Sequence, residues 1–292
     1  MTRISLHGGH SGQYCDHARD ALADIVAAYH RLGFECVGLS EHMPPFDPTG
    51  LYPDEMEMGR TAVWMQARFT RYVAEARRLE QEYAARMRIL VGMEGEWYPG
   101  CEKWVARLRK DHSLDYVVGS VHHVDGLCFD FSPAVYARAV DRCGGLERMY
   151  AWYFDAQLDM LQGIRPEVVG HFDLIRLYDS RYCDTLAQPE VWKRVLRNLE
   201  WIRGAGAILD INARALLKNQ AEPYVCAPIL DVAARMGIVV AYGDDAHGVE
   251  DVGYGVERVM ELLAARGCGE LRVRVDADPA ALPEALFSRP TT

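Results

Sequence analysis

The sequence lacks the features by which several function classes are recognised. No stretch approaches the ~18 consecutive apolar residues of a membrane span. The opening MTRISLHGGH carries no apolar core of a secretory signal. Eight cysteines (15, 36, 101, 128, 143, 183, 226 and 268) are scattered without a C-x-x-C pair, which argues against a disulfide scaffold or an iron–sulfur cluster. Positive charge is in deficit: 32 Lys and Arg against 42 Asp and Glu give a net −10. A domain that binds nucleic acid by neutralising phosphates usually has a basic excess. No low-complexity stretch or Gly/Ser linker divides the chain. What is left is a reduced, cytoplasmic, soluble protein with no nucleic-acid or membrane partner. Its 292 residues, half of them hydrophobic, suffice for a sizeable core. One domain spanning 1–292 is expected.

What is present is a repeat of short apolar runs followed by longer amphipathic stretches. The runs are Ile4–Leu6, Cys36–Leu39, Arg88–Met93, Tyr116–Val118, Val168–Val169, Ala207–Ile211 and Ile238–Tyr242. Between them, Ala18–Leu32 places Ala21, Ile25, Ala28 and Leu32 near one helical face. Segments near 60–86, 101–110, 133–163, 190–203, 226–236 and 249–265 read the same way, and Gly33 and Gly237 suit helix C-caps. Strands alternating with helices imply a parallel sheet, and seven repeats suggest an α/β barrel; an open doubly wound sheet is the alternative.

The runs end in His7-Gly-Gly-His10, Ser40-Glu41-His42, Glu94-Gly-Glu96, Ser120-Val-His122-His123, His171-Phe-Asp173, Asp210-Ile-Asn212 and Asp244-Asp245-Ala-His247. A single histidine is most often a surface or core residue. Seven of ten, in register with a repeat, converge on the mouth where a barrel keeps its chemistry. Imidazole with carboxylate suits zinc, iron or manganese. Strand parity puts Glu94 with Glu96, His171 with Asp173 and Asp245 with His247 on common faces. It sends His122 to the mouth and His123 to the other face. His7 and His10 have the wrong parity for a regular strand, so Gly8-Gly9 is expected to end the strand or bulge it, bringing both to one site.

These pieces, together with HGGHSGQYCDHA at 7–18, SEHMPP at 40–45, GMEGEWYPG at 92–100, DYVVGSVHH at 115–123, GHFDLIRLY at 170–178, LDIN at 209–212 and GDDAH at 243–247, resemble the polymerase-and-histidinol-phosphatase (PHP) superfamily, most closely its histidinol-phosphate phosphatases. The resemblance covers about residues 4–255. It implies a distorted (β/α)7 barrel with three divalent or transition metal ions (Zn, Fe or Mn). His7, His10, Glu94 and Asp245 would hold the first ion. Glu94 would bridge to a second, completed by His122 and His171, and His17, His42 and His247 would hold a third. The family's usual His-x-His is here His-Gly-Gly-His, and the gap from His10 to His17 is one residue longer. The implied reaction is hydrolysis of a small anionic phosphomonoester, most closely L-histidinol phosphate, by a water activated between metals. Glu94, Asp245 and His247 are the catalytic candidates, with Asp245 or His247 assisting proton transfer. Another small phosphate, or a non-catalytic accessory role, is the alternative.

For the substrate phosphate, Arg176 matches a family arginine, with a surface arginine as the plain alternative. A second family arginine falls at Leu217, leaving Arg214 or Lys218 to replace it. Cys15, between His10 and His17, is open to reading as a thiolate, although the resemblance gives it no role and cysteine is commonly a small buried hydrophobe. The aromatics Tyr150, Trp152, Tyr153 and Phe154 are expected to pack against the barrel, and Met43–Tyr52 to form a loop over its mouth.

Overall fold

Short, nearly continuous apolar runs set the architecture, because each strand of a parallel barrel buries both faces, one in the lumen and one beneath the helices. The computed structural model describes residues 3–268 and, beyond them, the paired two-residue strands at 272–273 and 287–288. Seven parallel strands follow one another in sequence order: β1 (Arg3–Ser5), β2 (Phe34–Leu39), β3 (Arg88–Glu96), β4 (Tyr116–Ser120), β5 (Val168–Val169), β6 (Ile208–Asn212) and β7 (Val240–Gly243). Their ladders run from Ile4↔Cys36 through Glu94↔Val118 to Asn212↔Gly243. Between β1 and β7 the barrel is nearly closed, by Leu6 N–H donating to the Tyr242 carbonyl at 3.2 Å. These residues form one domain of the distorted (β/α)7 kind. The expectation that the C-terminal remainder packs on the barrel lies outside the described residues.

Alternate residues of each strand face inward. Ile4, Leu6, Cys36, Leu90, Tyr116, Val118, Val168, Ile208 and Ala241 fill the lower lumen as an apolar cluster of their own. Tyr116 is its largest member, with its hydroxyl donating to the Leu6 carbonyl at 3.0 Å. Gly38 and Gly92 make room for that ring: a Cβ would stand 2.2 Å from the Tyr116 hydroxyl at Gly38 and 2.4 Å from its ring at Gly92. The outward residues, such as Val37, Leu39, Ile89, Val91 and Val117, join the core beneath the helices.

Those helices are α1 (Leu22–Arg31), α2 (Ala62–Tyr83), α3 (Glu102–Asp111), α4 (Pro133–Cys143), α5 (Leu146–Ile164), α6 (Pro189–Ala205), α7 (Ala227–Arg235) and α8 (Val256–Ala265). Three depart from the sequence pattern, one of them being the helix expected over 249–265, which begins only at Val256 after a 3₁₀ turn at Val249–Asp251. The helix expected over 133–163 is two, broken at Gly144 and Gly145 with φ of +76° and +123°. The first helix begins at Leu22 rather than Ala18, because 11–20 folds as a loop whose Gln13 Oε1 accepts from Leu22 N–H at 2.8 Å. Tyr150, Tyr153 and Phe154 are fully buried on α5, as the packing reading expects, with Trp152 at the surface. Among the described residues no helix is long and apolar enough to cross a membrane.

Candidate metal centre

The strand ends bring their polar side chains to one buried cup. After β1 the backbone turns at Gly9 (φ +80°), where a Cβ would lie 2.6 Å from Leu39 Cδ2. His7 and His10 therefore both face inward, fully buried, with ring centroids 6.1 Å apart. Each is oriented by a carboxylate behind it. His7 Nδ1 donates to Asp210 Oδ2 at 2.8 Å, and His10 Nδ1 to Glu41 Oε1 at 3.2 Å. With Nδ1 as the donor, Nε2 is left as a lone-pair acceptor, and both Nε2 atoms are buried without a hydrogen-bond partner. A carboxylate fixing the tautomer of an imidazole is the arrangement that presents its other nitrogen to a metal. His247 is held similarly, Nδ1 donating to the Asp245 carbonyl at 2.8 Å.

Glu94, in the regular part of β3, lies among these rings. Its Oε1 is 3.1 Å from His171 Nε2, 3.4 Å from His7 Nε2 and 3.6 Å from His122 Nε2. Its Oε2 is 3.0 Å from His42 Nδ1 and 4.0 Å from His10 Nε2. One carboxylate thus presents its two oxygens to two groups of imidazoles. Asp245 Oδ1 stands 3.5 Å from His10 Nε2. Beyond them, toward solvent, one ligand atom each of Cys15, His17, His42 and His247 lie within 4.8 Å of one another.

Protonation follows from this crowding. Burial opposes charge on Glu94, but His7, His171 and His42 outweigh it and hold the carboxyl well below its ordinary range. Asp245 is lowered for the same reason, chiefly by His7 and His247. Burial and neighbouring imidazoles push His17 down to about 3. Burial also lowers His122 and His247. Burial also opposes charge on His7 and His42, but Glu94, Asp210 and Asp245 raise His7 well above its ordinary range, and Cys15 and Glu94 do the same to His42. Ligation requires ionised carboxylates and neutral imidazoles, so these two rings would give up a proton to an ion. The chemistry of the set, nitrogen and oxygen donors with unpartnered ring nitrogens aimed inward, fits divalent cations.

The sequence model of the PHP domain matches residues 6–214. The chain belongs to the PHP domain family. A "Probable histidinol-phosphatase" of Schizosaccharomyces pombe is 35% identical over 272 residues, 92% of this chain and 88% of that one. A structural-genomics crystal structure from Listeria monocytogenes shares the fold with a TM-score of 0.78 at 21% identity, covering 88% of this chain and 99% of that one. Histidinol phosphate phosphatase from Lactococcus lactis, solved with zinc, L-histidinol and phosphate, has a TM-score of 0.63 at 16% identity, covering 92% and 95%.

In this PHP domain, strand parity is not what gathers all the pairs. Strand β5 is only two residues long, so His171 (φ +24°) turns to Glu94 while Asp173 turns away. The expectation that His171 and Asp173 share a face is therefore corrected. Asp245 (φ +51°) and His247 likewise lie beyond the end of β7. Left-handed backbone at non-glycine residues costs about 1–3 kcal/mol each and is a recurrent feature of functional sites. His122 and His123 are not sent to opposite faces. His122 stands between Glu94 Oε1, 3.6 Å from Nε2, and Glu96 Oε1, 3.8 Å from Nδ1. His123 Nδ1 pairs with that same Glu96 oxygen, while Glu96 Oε2 accepts from Tyr52 Oη at 2.5 Å.

Arg176 is a second correction. Its guanidinium is fully buried, with Nε donating to Asp173 Oδ2 at 3.0 Å, Nη1 to Gln220 and Nη2 to the Glu222 and Pro223 carbonyls. Four of its five N–H donors are thus taken by protein acceptors, so it braces the 220–226 loop instead of reaching into the cup. Arg214 is half-buried at the rim, where Nη1 donates to the Asp245 carbonyl and to Asp251 Oδ2, both at 3.1 Å. Lys218 is exposed four residues on. Glu41 and Asp210, which orient His10 and His7, are functional residues that the ligand pattern does not single out. Their signal was position: both stand in the polar strand ends beside expected ligands.

Proposed function

We propose that the chain is a metal-dependent phosphatase that hydrolyses L-histidinol phosphate to L-histidinol and phosphate, as part of histidine biosynthesis in the cytoplasm. The observation that carries this reading is the pair of buried, unpartnered Nε2 atoms of His7 and His10 beside Glu94 and Asp245. The relatives' names and the ligands of the Lactococcus lactis enzyme supply the substrate class.

In this reading His7, His10, Glu94 and Asp245 hold one ion. Glu94, His122 and His171 hold a second, and His17, His42 and His247 a third, the ions being zinc, iron or manganese. When bound, they supply a lowered water pKa and positive charge opposite the phosphoryl oxygens. That charge lets a chain of net −10 take an anionic substrate. The protein's own part is positional. Asp210 and Glu41 fix two imidazole tautomers, and Glu94 spaces two ions. Asp245 or His247, at the rim of the buried cup, serves the proton of the departing alcohol. Arg214 offers its remaining donors to a phosphate oxygen, with Lys218 as the alternative cation. The whole chain works as one domain.

The test is phosphate release by the chelated and metal-reloaded protein over a panel of phosphomonoesters. Histidinol phosphate should give the highest kcat/KM, and chelation should abolish turnover. Faster turnover of a nucleotide or sugar phosphate would reassign the substrate, and activity indifferent to chelation would overturn the mechanism.

A further inference from the structure

Five cysteines are buried, and four of them sit where a small hydrophobe belongs. Cys36 lies in the barrel floor, while Cys101, Cys143 and Cys226 lie in the core under the helices. Cys15 is only 4% exposed, yet it belongs to neither apolar cluster. Its sulfur faces three imidazoles instead: Sγ and one nitrogen each of His17, His42 and His247 lie mutually within 4.8 Å. Two of those rings, His42 and His247, also stack on His10 at 4.4 Å, and the His10 Nε2 is buried without a hydrogen-bond partner.

The loop that carries Cys15 is pinned. Asp16 pairs with Arg60 at 2.9 Å and Arg68 at 3.0 Å, and Cys15 N–H donates to the Ser11 carbonyl at 2.8 Å. Arg68 also donates to the Gln13 carbonyl at 2.9 Å. The fold thereby turns the thiol inward. Tetrahedral zinc has Zn–N of about 2.0–2.1 Å and Zn–S of about 2.3 Å, so its donor atoms stand roughly 3.3–3.6 Å apart. The four atoms need to draw in by only about 1 Å.

We propose that Cys15 is a thiolate ligand that completes a four-donor site with the imidazoles of His17, His42 and His247. The inference rests on the metal-centre reading above but not on its substrate. A four-donor set with one sulfur is of the closed, tetrahedral kind and favours zinc, whereas the nitrogen and oxygen donors around Glu94 also accept manganese or iron. The two ends of the cup therefore differ in the ion they select.

The experiment is zinc K-edge absorption on the full chain, depleted by chelation and reloaded to saturation, with metal content measured on the same samples. Wild type should bind three equivalents and show a sulfur shell at about 2.3 Å, with about one sulfur per three zincs. Cys15→Ser should lose the sulfur shell and weaken the third equivalent by at least the ~10-fold that follows loss of even an outer-sphere partner. Cys183→Ser, at an exposed cysteine, should keep both. Three bound zincs with no sulfur shell in wild type, or a shell that survives Cys15→Ser, overturns the proposal while leaving the phosphatase reading intact. A wild type that binds no zinc at this site overturns both readings of it. A sulfur shell without histidinol phosphate turnover upholds this proposal and sinks only the substrate. Should Cys15→Ser fail to fold, a wild-type spectrum without a sulfur shell still overturns the proposal, and loss of the shell in Cys183→Ser overturns it as well.

Discussion

The floor of the barrel and its mouth are built from the same seven strands and have opposite chemistry. On the inward face of β3, Leu90 belongs to the apolar floor and Glu94, two pleats on, to the polar cup. On β6 the same face passes from Ile208 to Asp210 and Asn212. The change takes two to four residues per strand, so one or two pleats separate dry packing from a set of ionisable groups. The floor supplies the rigidity on which the cup depends, because groups that would repel or protonate in isolation are held by a backbone anchored below them.

The strongest test of the mouth is Glu94→Ala. Removing a carboxylate that faces His7, His171, His122 and His42 should cost roughly 10³-fold or more in kcat and lower metal content, read by turnover and metal analysis of one preparation. Wild-type metal content would break the bridging role. Next is Arg176→Met, which leaves buried Asp173 without its charged partner, with the Cys226 N–H still donating to it. A loss of about 3–5 kcal/mol in denaturant unfolding is expected. A raised KM at unchanged stability would return Arg176 to the substrate.

Leu90→Ala tests the floor. Cavity formation should cost about 2–5 kcal/mol while metal stoichiometry stays at the wild-type value. If metal is lost too, the two halves are not separable. The smallest effect is expected at the rim. Arg214→Ala should lower kcat/KM about ten- to a hundredfold, the equivalent of about 1.5–3 kcal/mol for a hydrogen bond to a charged group, and Lys218→Ala should change it little. The reverse order would make Lys218 the phosphate contact.

Most of the barrel was legible because short apolar runs, the amphipathic stretches between them and polar strand ends are local signals. All seven expected runs coincide with or overlap the strands from Arg3–Ser5 to Val240–Gly243. The cup was legible as a set of residue types at those ends. What the residues did not reveal was direction. Nothing in GHFDLIRLY tells that β5 stops at Val169, and that early stop sends Asp173 and Arg176 into each other. The orienting roles of Glu41 and Asp210 were hidden for a related reason. A carboxylate beside a ligand reads the same in sequence whether it binds an ion or steadies the ring next to it.

The Tyr116 ring, wedged over Gly38 and Gly92, has a consequence for traffic. With the apolar floor around it, the ring stoppers the lumen from below, so among the described residues the cup is reached from the strand-end side. Whatever arrives and whatever is made must pass the same rim. The cup cannot be refilled until it has been emptied, and a lingering product obstructs its successor.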